Sequence, residues 1–71
     1  MYTLVGCDGN AFAIIGYTQR AMKECGFGKI DIEEMRKKAT SGDYYNVIST
    51  CDEYITLCNA KMGYNGDEED E

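Results

Sequence analysis

The chain has 71 residues, enough for one domain, and its 44% hydrophobic and 28% charged residues are those of an ordinary globular protein. It contains no His, Trp or Pro, and thirteen acids against seven bases give a net charge of −6. The missing His excludes Ser-His-Asp and Cys-His catalysis, His-ligated zinc and an imidazole pH switch.

Residues 2–5, Tyr-Thr-Leu-Val, are β-prone and apolar. They predict a short extended segment, either an edge strand or an arm that packs on another subunit. Gly6-Cys7-Asp8-Gly9-Asn10 reads as a turn, with Asp8 or Asn10 able to cap the helix that follows. The first helix is expected over about residues 10–25, with Gly26 as its stop. Its apolar stripe is Ala11, Ile15, Thr18, Met22 and Cys25, widened by Ile14 and Ala21 on one side and Phe12 on the other. So broad an arc suits a central helix packed on two sides. Gly16 costs about 1 kcal/mol relative to Ala in a helix interior, which close approach of a second helix or a ligand would offset. Gln19, Arg20, Lys23 and Glu24 mark the wet side.

Residues 27–30 form a connector, and the second helix is expected over 31–41. Asp31 is a suitable N-cap, Glu34 completes an acidic relative of the capping box, and Ile30 can staple to Met35. Glu33 and Glu34 come early and Arg36, Lys37 and Lys38 late, an order that suits the helix dipole. Ile32, Met35 and Ala39 mark the inner face, and Ser41-Gly42 ends the helix. Asp43 caps a third helix over 43–61. Its seam is Tyr44, Ile48, Cys51, Ile55, Cys58 and Met62, widened by Val47 and Tyr54. Gly63 breaks it.

The last five residues are all acidic, which leaves eight acids and seven bases in residues 1–66. The sequence thus predicts a mainly α, three-helix domain over 1–63, with a short extended N-terminal segment and a disordered acidic C-terminal tail over 64–71. The second and third helices could be taken for a helix-turn-helix. The third opens on Asp43-Tyr44-Tyr45-Asn46, without the bases a DNA reader needs, so direct nucleic-acid binding is not expected.

A chain this short buries roughly 60% of its unfolded surface and gains little net stability alone, so self-association into a homo-oligomer is expected. Cys7, Cys25, Cys51 and Cys58 contain no CxxC pair, and Cys51 and Cys58 lie about 10 Å apart on a helix, beyond disulfide reach. They read as free, buried thiols, which suit a cytoplasmic protein. No metal site, cofactor, signal peptide or membrane span is written in the sequence.

Two stretches resemble a known family. One is Gly9-Asn10-Ala11-Phe12-Ala13-Ile14-Ile15-Gly16 with Arg20-Ala21 and Gly26. The other is Glu34-Met35 through Ala39-Thr40-Ser41-Gly42-Asp43-Tyr44, with an aromatic, Tyr54, near the end of the last helix. Together they resemble a family of small uncharacterised proteins of phages, prophages and bacteria, over about residues 4–58. That family has no established activity, so the resemblance implies no functional residue. It implies a phage-type context, in the host cytosol, where small proteins often act on host defence by binding rather than by chemistry.

The candidate site residues follow from helix ends and spare aromatics. Gly9 and Asn10 open the first helix, and Thr40 and Ser41 precede the third; free backbone N–H groups at such ends can hold an anion. Tyr17 falls on the far side of the first helix from its stripe, and Tyr45 lies outside the third helix's seam, so either ring could stack a base or anchor an interface. Arg20, Lys23 and Lys29 are the cations that could complete a nucleotide site. Catalysis is not expected. Cys7 has no His beside it as a base, and Asp52 and Glu53 diverge by about 100° on a helix. The leading expectation is a small oligomer that sequesters a small anionic ligand, such as a nucleotide signal of host defence, in a site between subunits. The alternatives are an acidic inhibitor or adaptor that binds a basic host protein, and a structural subunit of a larger assembly.

Overall fold

The computed structural model describes residues 1–63, and they form three α-helices: α1 Ala11–Glu24, α2 Lys29–Ala39 and α3 Tyr44–Lys61. The expected acidic tail, 64–71, lies outside the described residues. Among the described residues there is no strand, so of the two alternatives for residues 2–5 the edge strand does not form.

Helix α1 starts where its cap dictates. The Asn10 side chain accepts the Phe12 N–H at 2.8 Å. It ends in a Schellman motif: the Gly26 N–H bonds the Lys23 carbonyl at 3.2 Å and the Phe27 N–H bonds the Met22 carbonyl at 2.9 Å. Gly26 takes φ +96°, a conformation that a Cβ would strain.

Helix α2 begins two residues before the expected Asp31 cap. Gly28 is the N-cap and Asp31 sits inside the first turn, where its charge still suits the dipole. The Ile30–Met35 staple is absent, because Ile30 is 74% exposed while Met35 is fully buried. The helix stops at Ala39 rather than 41, with Thr40 as its C-cap. Asp43 caps α3 as expected and accepts the Asn46 N–H at 3.0 Å. Asn46 in turn donates to the Lys38 and Ala39 carbonyls at 2.6 and 3.2 Å, which ties the turn together. A Cβ on Gly42 would lie 3.0 Å from that of Asn46, so this turn favours glycine by close approach.

The bundle runs up, down and up. Tyr44, in the first turn of α3, donates its hydroxyl proton to the Gly9 carbonyl just before α1. At the other end Phe27, after α1, meets Tyr54 of α3 edge to face at 6.5 Å between ring centroids. Helices α1 and α3 are therefore parallel, and α2 returns between those ends. The core is Ile14, Ile15, Ala21, Met22 and Cys25 of α1 and its cap, Ile32, Met35 and Ala39 of α2, and Val47, Cys51, Ile55 and Cys58 of α3. Each fully buried Met contributes about 1.5–3 kcal/mol.

The seam expected on α3 is shifted at its ends. Tyr44 and Met62 are largely exposed, and Thr50 is buried instead. Phe12, expected to widen the α1 stripe, is 84% exposed. The second side of α1 is covered by the chain's own N-terminal segment. Tyr2 and Leu4 pack on the core, and the Thr3 N–H donates to the Tyr17 hydroxyl at 3.0 Å. The arm thus lies on its own chain's helices.

Candidate functional site

The helix ends expected to hold an anion are engaged in capping. Asp8 accepts the Asn10 N–H at 3.0 Å, Asn10 caps α1, and the Gly9 carbonyl receives the Tyr44 hydroxyl. Thr40 and Ser41 do not serve the start of α3. Their hydroxyls turn back and donate to the Arg36 and Lys38 carbonyls at 2.7 and 2.8 Å, satisfying the last turn of α2. The structure brings Gly9 and Asn10 to the same end of the bundle as Tyr44, while Asp8 and Asp43 add two carboxylates there.

Tyr17 and Arg20 come together elsewhere. They line a small open cavity of about 190 Å³ with Tyr2, Ala21 and Glu24. Tyr17 is half-buried under the arm rather than free on a far face, and the Tyr2 hydroxyl donates to Glu24 at 3.0 Å. Tyr45 stands apart at 80% exposure.

A larger concavity, of about 390 Å³, opens between α1 and α2. Gln19 and Lys23 line it from α1, Phe27 from the connector, and Lys29, Ile32, Glu33 and Arg36 from α2. Three cations face one acid, beside the Phe27 ring and the Ile32 side chain. Helical spacing explains the set. Gln19 and Lys23 are four residues apart, and Lys29 and Arg36 seven, so each pair shares a face. Among the described residues the ion pair is Lys38–Glu53 at 3.4 Å, so no groove cation is ion-paired there. Lys61, the last residue of α3, holds its ammonium 4.7 Å from the centroid of the Phe27 ring, which is itself part of the groove lining. Of these residues Lys23 and Lys29 were legible as cations. Arg36 reads from sequence as a dipole partner and Phe27 as a connector, because their convergence is tertiary. The available signal was the seven-residue spacing of Lys29 and Arg36.

The thiols are buried rather than displayed. All four cysteines are free; Cys25, Cys51 and Cys58 are buried and Cys7 is half-buried. Burial pushes the Cys51 thiol up, a hydrogen bond with Thr18 lowers it, and nearby Cys7 raises it. Burial, then a hydrogen bond and charge from Cys25, push the Cys58 thiol up to about 12, with Lys61 opposing. Such thiols are poor nucleophiles at neutral pH. Among the described residues no group of three His, Cys, Asp or Glu side chains could hold a metal ion. No described helix is long and apolar enough to cross a membrane.

No family model, curated protein or solved structure matches the chain.

Proposed function

We propose that the protein is a non-catalytic binding protein that holds a small anionic ligand in the groove between α1 and α2. The observation that carries this reading is the convergence of Lys23, Lys29 and Arg36 around Phe27 and Ile32, with Glu33 as the one acid in the lining. Cations beside an apolar floor suit a ligand with a charged and an apolar part, as a nucleotide has. The groove's volume, about 390 Å³, lies within the range of about 300–1,000 Å³ usual for such sites. Arginine can grip phosphate with two parallel hydrogen bonds, and Gln19 adds a neutral donor and acceptor. In the phage-type context that the resemblance implies, the biological use would be sequestration of a nucleotide signal of host defence, in the host cytosol.

The test is an amide NMR titration with two probes, inorganic pyrophosphate and ATP. The expected result is saturable shifts confined to Gln19–Arg36, lost in Lys29→Ala/Arg36→Ala. Absence of groove shifts with both probes at millimolar concentration overturns the reading. Native mass spectrometry of gently purified protein then identifies a carried ligand as mass released on denaturation.

A second reading is favoured by Phe12 and Tyr45, which are 84% and 80% exposed in the first turns of two helices that start at the same end. Large exposed rings suit a protein contact, here with a second copy of the chain. Sedimentation of the wild type and of Phe12→Ala/Tyr45→Ala tests self-association. A species larger than the 8.0 kDa chain that the variant reduces to monomer supports it, and a wild-type monomer removes it.

A further inference from the structure

We infer that the acidic run of residues 67–71 docks in the α1–α2 groove of its own chain, where it competes with the anionic ligand. This rests on the reading of that groove as an anion site. Three observations point to it. The first is charge: five consecutive acids follow a body of eight acids and seven bases, and three of those bases line one groove.

The second is place. Helix α3 ends at Lys61, whose ammonium lies over Phe27, and Phe27 lines the groove. The last residue of α3 and the groove thus share one ring, Phe27. The third is reach. From Gly63, an extended chain at about 3.5 Å per residue carries Asp67 up to about 14 Å and Glu71 up to about 28 Å. Lys29 and Arg36, two helical turns apart, are separated by about 10 Å along α2, a span that five extended acids cover.

Tethering decides in favour of the chain's own segment. A short linker holds it at a millimolar effective concentration, above that of a neighbouring molecule in dilute solution. The attraction is between exposed charges and is screened by salt, with a Debye length of about 8 Å at physiological ionic strength. The run thus acts as a weak, built-in competitor. A strongly charged ligand displaces it, and a weakly charged one does not.

The experiment compares the full chain with a variant whose run is neutral: Asp67→Asn, Glu68→Gln, Glu69→Gln, Asp70→Asn and Glu71→Gln. At low salt the amide signals of Lys23, Phe27, Lys29 and Arg36 are expected to differ between the two proteins and to converge as salt is added. In Lys29→Ala/Arg36→Ala the intact and neutral runs should give the same groove spectrum. Pyrophosphate should bind the neutral variant about tenfold more tightly, as for a site that is about nine-tenths self-occupied. Identical groove signals at low salt overturn the inference, as do differences that grow with protein concentration, which assign the docking to a second copy. If pyrophosphate binds both proteins equally, self-competition fails while the anion site stands. If the run shifts the groove and neither pyrophosphate nor ATP binds, docking stands and the ligand reading fails.

Discussion

The backbone of Tyr2 and the side chain of Asn59 exchange two hydrogen bonds. The Tyr2 N–H donates to Asn59 Oδ1 at 2.8 Å, and Asn59 Nδ2 donates to the Tyr2 carbonyl at 2.9 Å. One amide side chain thus gives this residue the pairing a neighbouring strand would give, and an isolated arm needs no sheet. Asn59→Ala should cost about 1–2 kcal/mol, the net value of two partly buried neutral hydrogen bonds. Urea unfolding measures the loss. Hydrogen exchange at Tyr2 and Thr3 should accelerate while helical circular dichroism stays unchanged. Unchanged exchange at Tyr2 would mean that the arm is held by its packing alone.

Two glycines should respond oppositely to alanine. Gly16 lies within α1, and a Cβ there would meet nothing within 4 Å. Gly16→Ala should therefore raise stability by about 1 kcal/mol through helix propensity. Gly26→Ala should lower it by about 1 kcal/mol, because φ +96° strains an L side chain. Thermal unfolding of both variants decides the signs. A destabilised Gly16→Ala would point to a close neighbour from another molecule on that face of α1.

Alkaline pH should weaken the fold through Cys58. Its thiol is pushed up to about 12 in the folded protein from an ordinary value of 9.0. The unfolded chain therefore releases this proton first. The contribution to stability is fully present below about pH 9 and is lost as pH rises toward 12. The stability gap between wild type and Cys58→Ala should narrow over that window, as read from urea midpoints at a series of pH values. A gap that stays constant with pH would contradict this assignment.

The hydroxyl that Tyr44 extends to the Gly9 carbonyl joins the starts of α1 and α3. Tyr44→Phe removes it while keeping the ring. The expected loss is about 0.5–1.5 kcal/mol, with faster amide exchange in residues 10–13 and unchanged exchange near Phe27. Uniform acceleration across α1 would instead mean a global loss.

Local signals were the legible part of this molecule. Asn10, Gly26 and Asp43 each act through atoms within a few residues, so capping chemistry placed both ends of α1 and the start of α3. Asp31 misled because a good capping residue is also a good first-turn residue, and the Schellman turn at Gly26-Phe27 lets α2 begin sooner. Periodicity alone does not place Phe12 and Tyr17. The arm then covered Tyr17 and left Phe12 in water. The candidate site split in the same way. Thr40 and Ser41 carry the right hydroxyls, but the nearer unsatisfied carbonyls of α2 take them. The groove is not legible as a whole, because Lys23 of α1 and Arg36 of α2 line it together only through the packing of two helices.

The pairing of Tyr2 with Asn59 spans 57 residues. It closes a loop that contains every helix of the bundle. The arm is made before the helices and is fixed after them, since its anchor belongs to the last turns of α3. Full anchoring of the arm therefore waits on α3, and order at Tyr2 reports that all three described helices have come together.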